Sequence, residues 1–417
     1  MGRFTALRSA FSSRNYAIYI SGNCLSLVGF WMQRLAVAWL AWELSHSEFW
    51  VGVVAFADLF PLLIIGPVFG VWADRFDRKR LAMVLQSLML VQAAVLYLCI
   101  RSGMLTVEWL FVLTLIEGTI HASYQPVRLA LIPNLVRRED VVTATAFTAV
   151  TFNVARFVGP AIAGVVIALY GAEWAVIFNV FSYALIVATW NLISLPPKEP
   201  NPAEQKSVLG DMCDGFRYIL ERPALSAMFT LFTIIALFAR PLTFMLPAFV
   251  GAVYEAGPET LALFTSSVGA GAVLAGLKLS VSGKAEGLIR SILINSLITV
   301  VLLIGFSITK DRVIATVLIF GFGYSLTSCT VASQTLVQNR IDDLMRGRVL
   351  SLWVAFTRGA PALGVLVIGW FSDFYGLQWP NVVAALMCLF GVAYLLGKRR
   401  QMRRYFEQNL EETRSRG

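Results

Sequence analysis

The chain has 417 residues, of which 58% are hydrophobic and 14% charged, with a formal net charge of +9. Soluble domains carry about 25% charged residues, so the composition excludes a water-soluble globular protein and implies an integral membrane protein. In a soluble chain such a basic balance would suggest nucleic acid; here the cations collect in alternate loops, so they report orientation and no nucleic-acid partner is expected.

Twelve apolar spans are predicted, near residues 16–44, 49–73, 81–100, 106–127, 141–170, 173–194, 223–250, 258–279, 287–309, 312–336, 347–373 and 379–397. Each is long enough to cross a hydrocarbon core of ~30 Å as a helix. The leading MGRFTALRSAFSSRN is basic but runs into a span too long for a cleaved signal peptide, and Ala6 stands where an N-myristoylation motif needs Ser or Thr. Loops on one side hold Arg3, Arg8, Arg14, Arg137, Arg138, Arg217, Arg290, Arg346 and the tail from Lys398; the opposite loops hold Arg101, Lys310 and Arg312. The positive-inside rule then places both termini in the cytoplasm, as an even span number requires.

Between spans 2 and 3 lies GVWADRFDRKRL, Gly70 to Leu81. Gly70 permits close helix approach, Asp74 can cap or pair at a helix end, and Arg75, Arg78, Lys79 and Arg80, with Asp77 among them, hold the loop at a lipid surface. The bland alternative is an ordinary positive anchor. The longest polar stretch, Leu195 to Ala224, begins with a proline-rich linker. From Ser207 to Glu221 its apolar residues recur at helical spacing, predicting an amphipathic surface helix. The expected organisation is a six-helix bundle over 1–194, a linker over 195–222, a second six-helix bundle over 223–397 and a basic tail over 398–417.

The halves read as a decayed repeat: Gly276, Gly283 and Lys284 match Gly70, Asp77 and Arg78, and Gly159-Pro160 matches Ala360-Pro361. Six-plus-six repeats with sites between them are a transporter architecture. Cys24, Cys99, Cys213, Cys329 and Cys388 are scattered without a CxxC, and the only histidines are His46 and His121, so no metal site, cofactor or disulfide framework is indicated. The absence of a catalytic cluster and of a G-x-x-x-x-G-K-(S/T) loop argues against an enzyme and against ATP-driven pumping.

Ionisable groups at bilayer depth are expensive, which makes Arg34, Asp58, Glu117, His121, Arg156, Arg240 and Arg358 the candidate substrate and proton pathway. Arg34 and Asp58 fall at similar depths in spans 1 and 2 and can pair. Glu117, His121 and Gln125 share one face of span 4. Burial penalises a charged carboxylate, so Glu117 is the first choice for proton carrier, with His121 as its partner. The alternative for each is a structural polar contact. Four arginines against two acids favour an anionic or electron-rich substrate. Trp31, Phe152, Trp353 and Phe356 are candidates for an apolar pocket, while Trp42, Trp50 and Trp109 suit the membrane interface.

The Gly70–Leu81 spacing, together with SYQPVRLALIPNLVRRED (Ser123–Asp140) and ATAFTAVTFNVARFVGPAIAG (Ala144–Gly164), resembles the major facilitator superfamily along essentially the whole chain, and most of all its bacterial siderophore-exporter and macrolide-efflux branch. Gly159, Pro160 and Gly164 fit the span-5 motif of drug exporters, whose earlier glycine is Ala155 here. The span-4 arginine of many proton-coupled exporters is replaced by Thr114, so its proton role does not carry over. The resemblance implies an all-α membrane fold of twelve helices in two pseudo-symmetric bundles. It also implies proton-coupled export of a small amphipathic molecule by a monomer in a bacterial inner membrane. Uptake by symport and lipid flipping remain open at this point. Physically, Pro160 and the small residues allow a bendable crossing, for which Gly269, Gly271 and Gly276 of span 8 offer a matching face.

Overall fold

The structure, a computed structural model, describes Ser9 and residues 11–72, 76–195, 208–282 and 287–408. Regular structure among the described residues is entirely helical. The first six helices are α1 (Arg14–Ser45), α2 (Glu48–Trp72), α3 (Arg78–Arg101), α4 (Val107–Leu135), α5 (Val141–Tyr170) and α6 (Ala172–Leu192). A short helix follows, α7 (Val208–Leu220), where the amphipathic pattern predicts one. Next come α8 (Pro223–Phe238), continued by α9 (Leu242–Ala248) and a π turn at Phe249–Val253, then α10 (Pro258–Ser282), α11 (Leu288–Ile308) and α12 (Arg312–Gln338). Then α13 (Asp343–Val354) runs through a second π turn, Ala355–Gly359, into α14 (Ala360–Tyr375), and α15 (Gln378–Arg403) closes the series.

Among the described residues eleven helical segments are long and apolar enough to cross a membrane, with Pro223–Val253 and Met345–Tyr375 each counting once. The twelfth crossing is α4, which falls outside that group and carries Glu117, His121, Gln125 and Arg128. It also runs eight residues beyond the predicted end at 127, through Pro133 to Leu135, and holds Pro126 within it. Membrane helices tolerate such prolines because neighbouring groups re-satisfy the freed backbone.

Local chemistry explains the ends. Asp77 caps α3 by accepting from Arg80 N at 2.9 Å, Asp311 caps α12 by accepting from Val313 N and Ile314 N, and Gly171 ends α5 with φ +97°. On α3, Ala82, Leu85, Met89, Ala93 and Leu96 are buried, whereas Val84, Leu88, Val91, Val95 and Leu98 form an exposed apolar stripe. A helix greasy on its outer face is at home in hydrocarbon and not in water.

The described residues form two compact units. One takes Met1–His46, Ala57–Glu204 and Ala256–Ser266; the other takes Ser47–Phe56, Gln205–Glu255 and Ser267–Gly417. The core of the first is built from Tyr16, Tyr19, Leu85, Met89, Tyr124, Leu131, Tyr183 and Trp190, among others. Within it α1 packs on α5 and α6, and α3 packs on α4 and α6. The second unit repeats this scheme: α8 packs on α14 and α15, and α11 on α12 and α15. Identical pairings at corresponding places are the structural counterpart of the weak repeat in the sequence. Within the second unit Phe49 N, at the start of α2, donates to Asp373 Oδ1 at 3.0 Å. There too the amphipathic helix α7 docks on α13: Arg348 pairs with Asp214 at 2.9 Å, and the Tyr218 hydroxyl donates to Asp342 Oδ2 at 2.8 Å.

Candidate functional site

A group of buried polar side chains in the first unit joins α1, α3, α4 and α6, with the α2 acid Asp58 close by. Gly118 makes one crossing possible, since a Cβ there would lie 2.8 Å from the carbonyl oxygens of both Ala57 and Asp58. That close approach brings the α2 acid toward α4. Arg34 and Asp58 form the expected ion pair, each side chain about a quarter exposed or less (26% and 20%). Both charges act on Glu117, which is itself 7% exposed.

Glu117 takes a hydrogen bond from Gln33 of α1. Gln33 Nε2 donates to Glu117 Oε2 at 3.2 Å and reaches Gln92 Oε1 at 3.3 Å, while Gln33 Oε1 accepts from Asn179 Nδ2 at 2.9 Å. Asn179 Oδ1 in turn accepts from the Ser182 hydroxyl at 2.9 Å. The chain thus joins α6, α1, α3 and α4 through amides whose orientation each neighbour fixes. His121 stacks on Phe30 with ring centroids 4.5 Å apart and lies 2.8 Å from Gln125 Nε2.

Beside this network cations and aromatic rings interleave. Arg34 lies 5.2 Å and Arg156 5.7 Å from the ring centroid of Trp31, which meets Phe152 edge-on at 5.8 Å. Arg128 approaches the other side of the group, 5.7 Å from the Phe152 centroid. Electron-rich ring faces beneath guanidinium groups hold the cations without neutralising them. The Trp31 indole Nε1 is buried without a hydrogen-bond acceptor.

The remaining candidates lie elsewhere. Arg240 donates to the carbonyl of Thr357, the group that Pro361 leaves without a donor four residues on. Arg240 therefore serves the backbone of the Ala355–Gly359 π turn, and Arg358 stands exposed on that same turn. Gly70 lies within α2, whereas Asp74 and Arg75 fall outside the described residues. Asp77 caps α3, Arg78 Nη1 donates to Ala130 O at 3.1 Å, and Lys79 Nζ donates to Ile193 O at 2.7 Å. These bonds tie the start of α3 to α4 and to the end of α6.

Gly159 abuts α1, where a Cβ would sit 2.6 Å from that of Trp31, and Pro160 follows it inside α5. Gly164 packs on Ala262 of α10, in accord with a close α5–α10 crossing. The expected α10 partners differ: Gly271 faces the backbone of Phe320 and Tyr324 on α12, and Gly276 has open space. Among the described residues no group of three His, Cys, Asp or Glu side chains is arranged for a metal ion.

Sequence reading missed Gln33, Gln92, Asn179 and Arg128. The first three are uncharged, and a search keyed to charge passes over buried amides; their recurrence in otherwise apolar spans was the available signal. Arg128 lay one residue past the predicted end of span 4.

The chain matches the family described as transmembrane secretion effector over residues 6–414. It is 24% identical over 393 residues to the staphyloferrin A transporter of Staphylococcus aureus, covering 92% of this chain and 97% of that protein. With the enterobactin exporter EntS of Escherichia coli it shares 25% over 372 residues, covering 87% and 84% of the two chains. Among solved structures, the nucleoside transporter NupG superposes with a TM-score of 0.69 at 14% identity, covering 91% of this chain and 98% of that one. A bacterial homologue of the lysosomal transporter Spinster gives 0.70 at 14% identity, covering 93% and 97%. These two likenesses concern the fold alone. The chain is therefore a multi-pass membrane protein of the transmembrane secretion effector family within the major facilitator superfamily, a transporter and not an enzyme.

Proposed function

We propose that this transporter exports a small anionic, siderophore-like amphiphile in exchange for protons across a bacterial inner membrane, working as a monomer with both termini in the cytoplasm. The observation that carries this reading is the cluster in which Arg34, Arg128 and Arg156 surround Trp31 and Phe152, next to the enclosed acid Glu117. Cations set against aromatic faces suit a ligand that is both negatively charged and ring-bearing or amphipathic. Relatives named for staphyloferrin A transport and enterobactin export support the substrate class.

In this reading Glu117 carries the proton. Gln33, held by Asn179, presents an N–H to one carboxylate oxygen and leaves the other to take up and release the proton. Arg34 and Asp58 form a pair that substrate or proton can open. The segment from Gly70 to Lys79, with Asp74 as its centre, braces helix ends in one state and frees them in the other. The Asp74→Asn variant then inserts normally but turns over poorly; normal transport by it removes the gate.

Everted membrane vesicles energised by a pH gradient, offered siderophores, macrolides and labelled lipids, test the whole reading. Accumulation of anionic siderophores that a protonophore abolishes is expected. Preference for lipophilic cations, or lipid movement alone, overturns it.

A further inference from the structure

A guanidinium carries five N–H donors and stays charged at any physiological pH. Arg128 is 7% exposed, yet only its Nη2 has an acceptor, Gln125 Oε1 at 3.1 Å. Its Nε and Nη1 are buried and find no partner. Among the described residues Arg128 joins no ion pair, in contrast to Arg34, which has Asp58. The Tyr19 phenol lies within hydrogen-bonding reach of the guanidinium and the Tyr124 phenol close enough to feel its charge, but neutral hydroxyls do not balance it.

The surroundings are also short of acceptors. Tyr124 has Gln86 of α3 as its hydrogen-bonding neighbour and Tyr183 has Asn179, while Asn23 Nδ2 is buried without an acceptor among the described residues. A buried cation with spare donors is expensive unless an anion joins it. Charge balance at such a place favours a group that brings negative charge and several lone pairs.

We propose that Arg128 anchors a carboxylate-binding site inside the first unit. The carboxylate accepts from the idle guanidinium N–H groups, with Asn23 as a further donor. The site lies on the α4 face that also carries Glu117, His121 and Gln125, about 16 Å along the helix from Glu117 at 1.5 Å per residue. It borders the Trp31–Phe152 group through Phe152. The carboxylate comes either from the transported molecule, in which case the site rests on the transport reading above, or from a free carboxylate that fills the seat independently.

The test uses the purified full-length protein in low-salt detergent buffer, with thermal unfolding followed against acetate, succinate, succinamide and chloride. Acetate and succinate should raise the unfolding midpoint saturably, and succinamide, which lacks the charge, should not. Chloride at matched ionic strength should give a clearly smaller shift. Arg128→Gln should weaken the succinate response at least tenfold in apparent Kd while unfolding no earlier than wild type without anion. If Arg128→Gln does not fold, Arg128→Lys, which keeps the charge but loses the planar donors, should show a weakened response. A wild-type succinate response in either variant, no response in wild type, or a chloride effect equal to that of succinate overturns the site. The succinate response is read at one fixed pH without a proton gradient, so failure of proton coupling and failure of this site are read separately. Competition between succinate and siderophore uptake into vesicles assigns the seat to the substrate's own carboxylate; succinate binding without competition assigns it to a free one.

Discussion

Gln33 on α1 donates to Glu117 on α4 at 3.2 Å while it accepts from Asn179 on α6 at 2.9 Å, and Gln33 and Asn179 are fully buried. With its further bond to Gln92 on α3, one amide sets the position of the enclosed acid and links four helices. Gln33→Leu leaves Glu117, Gln92 and Asn179 each missing a partner, and a lost buried hydrogen bond costs about 1–3 kcal/mol. The variant should unfold several degrees earlier in detergent and transport poorly. Glu117→Gln, which can still accept from Gln33, should unfold near the wild-type temperature. Equal stability of Gln33→Leu and wild type would show that the amide chain does not hold the acid.

Arg240 and Pro361 form a second testable pair, because the arginine covers the Thr357 carbonyl that the proline strips of its donor. Arg240→Gln should destabilise the second unit by ~1–3 kcal/mol. Adding Pro361→Ala restores an N–H four residues along, so the double variant should recover part of the loss. A double-mutant cycle on unfolding midpoints reads the coupling; strict additivity contradicts the assignment.

Two glycines should behave oppositely. A Cβ at Gly159 meets that of Trp31 at 2.6 Å, whereas nothing lies within 4 Å of one at Gly276. Gly159→Val should displace Trp31 and lower both stability and transport. Gly276→Ala should leave stability within ~0.5 kcal/mol of wild type or raise it, since alanine is the better helix former. Thermal unfolding of the two variants side by side checks this.

The docking of α7 should have an alkaline limit. Burial pushes the Tyr218 phenol above its usual range, and the hydroxyl donates to Asp342. With a folded-state pKa above the unfolded one, this contact stabilises fully below about pH 10 and is lost as pH rises through the folded value. Limited proteolysis near α7 should accelerate above that pH in wild type, and Tyr218→Phe should be cleaved more readily than wild type at neutral pH with a flatter alkaline rise. Identical pH profiles argue against the contact.

Much of the architecture could be read in the sequence because the bilayer enforces it. Length, apolarity and alternate-loop charge fix the crossings, and the surface helix Val208–Leu220 follows from spacing alone. The Arg34–Asp58 pair was visible because charges at matching depth in adjacent helices have few other partners. Glu117's real neighbour was not, since Gln33 and Asn179 come together only through helix packing across 146 residues of sequence. The bond from Arg240 to the Thr357 carbonyl was hidden for a related reason: it depends on a proline 121 positions away, and charge at membrane depth looks the same whatever it serves. Arg128 stayed hidden because α4 continues to Leu135, beyond the predicted end at 127.

The central claim is that Glu117 moves a proton against an anionic substrate. It is tested most directly by purified transporter in proteoliposomes containing a pH-sensitive dye, with a siderophore gradient and no other driving force. Wild type should move protons opposite to the siderophore, and Glu117→Gln should still bind or exchange siderophore while moving no protons. Undiminished siderophore-driven proton movement by Glu117→Gln, or proton-independent net transport by wild type, contradicts the account.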